Sequence, residues 1–514
     1  MPKGPVARQP AFHYVLGVAI GLALGAHHPV AHGESVRVTP TVSSQLTWTN
    51  NVSLESSEAR DSALIFEFVP GVEVDWRSAR SELRGTVRAP VVVQTGGEGQ
   101  GTKVFPQVAL VGHIEPIENF FRIEGAASVT QRYFSPFGAR SPSLTNDTDN
   151  RYDSQSYRLT PIIEGEVGSL IRYQLRDDNI WTIVGNTPTD AANSYTNRFV
   201  GSVDRVATPL GWRLEYFRDQ VDFRREASEL NQVARAYATW RPDPQLELGL
   251  IGGYEQLQLQ FDDQSSAVYG ALLRWRPTSR TSLDANWQHR VGGPNYQVTF
   301  ANRTPLSVWS VEFSRSISNF PIELIELSAG TTVPALLDQL FLSRIPDSTE
   351  RQLAVARFMQ EQGLGTVLAE PFTLFGNQFR IVERARANFG VLGVRNNIFF
   401  NVYRVKTSPI TRTAEAPIDL PATEGTTQYG AGATWTTRLT SVSNFQLAAD
   451  LVRAESDDIL GRRTDQGFIR ANFTTRLSPQ TSAFAGLRLQ KLRSDVRPDA
   501  SEAAIFVGVN HSFR

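Results

Sequence analysis

Between Trp240 and Arg290, apolar and polar residues alternate with a period of two through three consecutive segments. Leu246, Leu248, Leu250, Gly252 and Tyr254 fall on one side, with Glu247, Gly249, Ile251, Gly253 and Glu255 between them. That spacing predicts an extended strand with two unlike faces. The alternation then slips by one, setting Leu257, Leu259 and Phe261 against Gln256, Gln258 and Gln260. An extra residue would restore a common face, so a β-bulge is expected near Glu255-Gln256. After the polar break at 262–266 the period returns as Ala267, Tyr269, Ala271, Leu273 and Trp275, and again as Leu283, Ala285 and Trp287. The connections Trp240-Arg241-Pro242-Asp243-Pro244 and Trp275-Arg276-Pro277-Thr278-Ser279 are short and made of turn formers.

A soluble sandwich would use strands of about 5 to 6 residues. A barrel crossing an outer membrane needs about 9 to 11 residues per strand, with short turns at one end and longer loops at the other. The run from Leu246 to Tyr254 already approaches the second length, the alternation carries it on to Phe261, and the aromatic residues near strand ends (Trp240, Tyr254, Trp275) suit interfacial girdles. The same alternation extends from Val36 through most of the chain to a last strand at Ala503 to Phe513, where an aromatic stands one residue from the end. Counting segments predicts an all-β fold, a large antiparallel transmembrane β-barrel of about 20 to 22 strands in the outer membrane of a Gram-negative bacterium. Pro70 and Pro90 fall inside strands, where a missing N–H implies local bends.

One interruption is long. Leu336 to Leu342 and Glu350 to Glu361 carry a helical period, the latter opened by Asp347-Ser348 and closed by Gly363. Residues 334–364 are therefore expected to form a short helical insertion, acting as a plug, a gate or a loop cap.

The N-terminus adds a compartment. Lys3 and Arg8 precede the apolar run Ala11 to Leu24, and Ala31-His32-Gly33 offers a cut before Glu34, so residues 1–33 read as a signal peptide and 34–514 as the barrel. The balance of 51 Lys and Arg against 52 Asp and Glu gives a net charge of −1 and nothing that points to nucleic acid. Mean hydropathy is −0.25, as expected where hydrophobicity alternates instead of accumulating. With no cysteine, the chain holds no disulfide, thiol nucleophile or cysteine-ligated metal.

Candidate chemistry is sparse. The glycine-rich Gly96 to Gly101 is followed by Thr102-Lys103, the wrong order for a phosphate cradle, and reads as an outer loop. Asn146 to Asn150 lacks the glycine and distal glutamate of a calcium loop, so Ser135 to Tyr152 reads as solvated outer loop. After the leader only His113, His289 and His511 remain, and none belongs to a recognisable triad or zinc motif. No catalytic residue, metal ligand or cofactor is expected, and the chain is read as not an enzyme. What parity does place inside is charge: Arg122, Glu124, Arg213, Glu215, Arg274, Arg276, Asp284, Arg290, Arg470, Arg476 and Arg488. Such residues either pair across strands and hold the wall, or select an anionic or hydrogen-bonding polymer in a pore.

Several stretches together resemble the PEP-CTERM system-associated outer-membrane β-barrel family: VTPTVSSQLTWTNNVSLE, FEFVPGVEVDWR, the SPFG of Ser135 to Gly138, YRLTPIIEGEVG, the Arg351 to Leu364 segment and GVRNNIFFNVYR. The resemblance covers nearly the whole mature chain and implies a barrel of exopolysaccharide and protein-sorting gene clusters, with a part in polysaccharide export and no catalytic residues. The expected function is thus a conduit for an exopolysaccharide. The expected partners are outer-membrane lipid, the barrel-assembly machinery, the polysaccharide and periplasmic export proteins. A general diffusion porin and a non-conducting structural or assembly barrel are the alternatives.

Overall fold

The computed structural model describes residues 35–513, apart from 98, 134, 147, 149, 169, 186–192, 206–208, 225–227, 260–261, 324–332, 343–344, 346–350, 352–353, 356–370, 372–377, 411–424 and 458–460. The expected signal peptide and most of the second helical run, Glu350 to Glu361, lie outside the described residues.

Twenty-four strand segments follow one another in antiparallel order. The first eight are β1 (Ser35–Thr49), β2 (Ala63–Arg77), β3 (Ser81–Arg88), β4 (Val91–Thr95), β5 (Gly101–Val104), β6 (Gln107–Ile117), β7 (Phe121–Tyr133) and β8 (Arg151–Val167). Next come β9 (Ile171–Gly185), β10 (Ser194–Arg205), β11 (Leu210–Phe223), β12 (Glu229–Asp243), β13 (Leu246–Gln258), β14 (Asp263–Thr278), β15 (Thr281–Arg290) and β16 (Gly293–Arg303). The last eight are β17 (Ser307–Ser318), β18 (Arg380–Leu392), β19 (Asn396–Pro409), β20 (Thr426–Arg438), β21 (Ser443–Ser456), β22 (Arg463–Arg476), β23 (Thr481–Ser494) and β24 (Ala500–Ser512). β24 pairs with β1 from Thr41↔Ser512 to Thr49↔Ala504, so the sheet closes on itself. Closure pairs every edge, the condition for burying a sheet in lipid.

Segments outnumber wall strands because of proline. β2 pairs with β3 at one end and β4 at the other, and the two are halves of a single strand broken at Ala89-Pro90. β5 and β6 are likewise halves, broken at Phe105-Pro106. Neither Pro90 nor Pro106 has an N–H to give the ladder. The wall therefore has 22 strands.

Turns of two to four residues join the strands at the end holding Ser35 and Ser512, and the longer connections, 134–150 and 319–379 among them, start and end at the other. Short turns mark the periplasmic, inner end. Following the cross-strand pairs round the ring keeps one face outward throughout, from Trp48↔Leu64 through Leu250↔Ala271 and Phe389↔Phe400 to Trp48↔Ile505. This outward face carries the exposed apolar side chains, Leu250, Leu451 and Ile505 among them. Trp76, Trp212, Trp240, Trp275, Trp309 and Trp435 all point outward within three residues of an inner strand end, forming a girdle at that interface.

The bulge expected at Glu255-Gln256 is absent. Pairing runs unbroken from Leu246↔Trp275 to Gln258↔Asp263, and the irregularity on the other side lies at Trp240/Asp243. The parity slip is a change of surroundings. Beyond Tyr254 the outward face rises above the apolar belt and becomes Gln256 and Gln258, while Leu257 turns inward to pack with Val221, Phe223, Val291 and Phe379 at the outer mouth.

Candidate conduit and its interior

All eleven charged residues predicted for the inner face stand on it, because each lies one position out of phase with the outward row of its strand. Seven gather in the inner half of the wall between β7 and β15. Arg122 lies 3.3 Å from Glu124 and 3.5 Å from Glu164, and Arg176 joins Glu124 to Asp178. Glu215 bridges Arg213 at 2.9 Å and Arg235 at 2.7 Å. Glu247 bridges Arg241 at 2.5 Å and Arg274 at 2.9 Å, and Asp284 lies 3.9 Å from Arg274 and 3.8 Å from Arg276.

The other four are separate. Arg290, near the outer end of β15, donates to both oxygens of the fully buried Glu255, which also accepts the Val291 amide at 2.9 Å. Arg488 makes a two-pronged contact with the fully buried Glu502. Arg470 lies over the Phe506 ring, 4.9 Å from its centroid. Arg476 donates to the Ser441 carbonyl in an inner turn. Cross-strand pairing thus absorbs most of these charges. Their acidic partners Glu247, Glu255 and Glu502 were missed from sequence, although each has the inward parity of its strand.

The lumen is filled from two directions. Loop 134–150 folds inward, contrary to the expectation of a solvated outer loop. Asn146 is almost wholly buried and donates to Glu502 at 2.8 Å and to the Val52 carbonyl. Arg488 reaches Thr145, Gln466 donates to the Gly138 carbonyl, and Ala139 packs with Leu54, Leu492 and Ala500. The polar composition that suggests solvent is satisfied by the wall instead.

The second filling is the segment between β17 and β18. It leaves from the outer end, where Phe320 and Ile322 are buried, and returns there at Phe379, whose amide donates to Glu229 at 2.7 Å. Between these anchors lies α1 (Val333–Phe341), which overlaps the expected Leu336 to Leu342 helical run and begins three residues before it. Val333, Leu336, Leu337 and Leu340 recur at i, i+3, i+4 and i+7 and form one apolar stripe, and Pro334 sits in the first turn, where its missing N–H costs nothing. The stripe packs on Val308 and Phe399, both inward-facing and almost wholly buried, with Leu392 beside them. Val308 and Leu392 belong to the inner ends of β17 and β18. The insertion therefore enters from the outer mouth and reaches the inner one. Arg351 donates to Asp338 of α1 at 2.7 Å and to the Ile345 carbonyl, which ties the following segment to the helix.

Beside α1 a cavity of about 380 Å³ remains at the inner mouth. Arg276, Arg280, Asn302, Arg303 and Gln339 line it, and among the described residues no acidic one does. Of the eleven predicted residues, only Arg276 reaches it.

The sequence matches no protein-family model and no curated protein sequence. Among solved structures, the siderophore receptor PirA from Acinetobacter baumannii is similar, with a TM-score of 0.45 at 9% identity over 95% of this chain and 81% of that one. OmpT, an outer membrane protein of Vibrio cholerae, gives a TM-score of 0.32 at 9% identity over 95% and 100% of the two chains. The outer membrane channel DcaP of Acinetobacter baumannii gives 0.30 at 7% identity over 95% and 99%. Likeness at this level places no substrate and no residue role on this chain.

Proposed function

We propose that this outer-membrane barrel is a gated conduit for an exported, acidic or hydroxyl-rich exopolysaccharide, with the 334–364 segment as its gate. The observation that carries the reading is the seat of α1 on Val308 and Phe399 at the inner mouth, in a segment that leaves the wall and returns to it at the outer one. A nine-residue helix is marginal by itself, so α1 depends on these wall contacts and is released when they are lost. Opening would join the arginine-lined cavity to the lumen and present Arg276, Arg280 and Arg303 to a polymer arriving from the periplasm. The family resemblance supports the same substrate class, with periplasmic export proteins as delivery partners and the barrel-assembly machinery as the route of insertion. The charges on the wall are read as structural and selective, and no step calls for an enzyme.

The test is planar-bilayer conductance of the whole barrel and of a variant lacking 334–364. The reading predicts a silent intact protein and a conducting variant. It also predicts that acidic oligosaccharide added on the inner side blocks the variant's current, and that Arg276→Glu with Arg280→Glu removes the block. A steady current from the intact protein would mark a diffusion porin, and silence of both forms a structural barrel.

A further inference from the structure

On the outer wall, away from the conduit, β20 to β23 carry two cross-strand rows of unlike chemistry near their outer ends. The lower row is Ala431, Leu451, Gly467 and Lys491; the upper is Tyr429, Arg453, Asp465 and Arg493. Beneath them the next row is Ala433, Ala449, Ile469 and Leu489, small on β20 and β21 and bulky on β22 and β23. The result is a groove of about 860 Å³ on the lipid-facing side, floored by Ala431, Leu451 and Gly467 and rimmed by Arg453, Lys491 and Arg493 with Glu455 and Asp465 between them.

The rim is basic once β19 is included. On the outward face of β19 to β23 and at Asp457 just past β21, Arg404, Lys406, Arg453, Arg463, Lys491 and Arg493 stand against Glu455, Asp457 and Asp465, an excess of three positive charges. Arg453 and Arg463 share Asp465, at 2.6 and 2.8 Å, and Lys406 holds Asp457 at 3.3 Å. Lys491 and Arg493 are exposed and have no acidic partner among the described residues. On the outward face of β9 to β13 the polar residues toward the outer half include Asp177, Asn179, Gln220, Asp222, Gln232 and Gln256, with Arg218 as the one cation among them. The positive field thus belongs to one sector of the rim.

We infer that this groove is a binding site for a phosphorylated, multiply acylated glycolipid of the outer leaflet, of the lipid A type. Its acyl chains would lie over Ala431, Leu451 and Gly467, and its phosphate oxygens would take charge-assisted hydrogen bonds from Lys491, Arg493 and Arg453. Orientation selects this lipid, because the cations lie toward the long loops and hence in the outer leaflet. The inference is independent of what passes through the lumen.

Native mass spectrometry of the refolded full-length barrel tests it, titrating bisphosphorylated lipid A, its dephosphorylated form and phosphatidylglycerol. One lipid A is expected to stay bound, with the dephosphorylated form at least tenfold weaker. Lys491→Glu with Arg493→Glu should weaken binding at least tenfold. Gly467→Phe, which fills the groove without touching a charge, should do the same, and Arg218→Glu should change nothing. Charge changes near an interface cost a barrel little, so these variants fold, and heat-modifiable gel mobility checks it. Equal binding by the charge-reversed and wild-type proteins, or displacement of lipid A by equimolar phosphatidylglycerol, would overturn the site.

Discussion

Leu337→Ala isolates the seat of the gate. Leu337 is completely buried on the α1 stripe between Leu340, Val308 and Phe399, so the substitution removes packing from the closed state while leaving the wall ladders of β17 to β19 intact. A buried Leu→Ala change costs about 2–5 kcal/mol, the spread reflecting how well the site collapses. α1 is released separately from the barrel, so the cost falls on the closed-to-open equilibrium, where about 1.4 kcal/mol is a factor of ten. The open fraction is expected to rise by roughly 30-fold to a few thousand-fold on this conversion. Single-channel recording measures it directly, with Leu250→Ala on the lipid face as the control that should record like wild type. An unchanged open fraction in Leu337→Ala, in a variant whose gel mobility shows an intact barrel, would refute the reasoning.

Three further outcomes follow from the geometry. Arg290→Ala strands the fully buried Glu255 and should cost about 3–5 kcal/mol in chemical unfolding, while Arg290→Met combined with Glu255→Leu should recover most of it. Leu250→Arg puts a charge in the apolar belt and should cost about 2–4 kcal/mol, whereas Gln256→Arg on the same outward row should cost at most about 1, as residues near the interface do. Equal costs would contradict the straight register through Glu255. Glu502→Ala removes the anchor of Asn146 and the partner of Arg488, so trypsin should cut after Arg140 much faster than in wild type; unchanged cleavage would show that loop 134–150 is held by other contacts.

The wall was legible because period-two patterning is imposed by lipid on one side and the lumen on the other, and it survives wherever a strand lies in the belt. It misled where the belt ends. At Gln256 the outward face changes from lipid to water while the chain runs straight on, so chemistry inverted without an inserted residue. Inward charge was also legible by parity, since Arg122, Arg274 and Arg488 each keep phase with their strands. The partners of Arg488 were not, because Glu502 and Thr145, which meet there, are far apart along the chain. Loop 134–150 read as solvent-exposed from its Asn, Ser and Thr content, and only the wall's own polar groups turn it inward. Leu336 to Leu342 announced a helix, but its destination depends on Val308 and Phe399, which lie in separate strands.

The central claim is that the insertion entering from the outer mouth rests at the inner one, and because the chain has no cysteine a pair of spin labels can test it cleanly. Gln339 of α1 and Ala301 of β16 line the same inner-mouth cavity. Labels at Gln339→Cys and Ala301→Cys, in the barrel reconstituted in lipid, should show strong, narrow dipolar broadening, which Leu337→Ala should weaken. The absence of broadening in the otherwise wild-type barrel would place α1 away from the inner mouth and contradict the account.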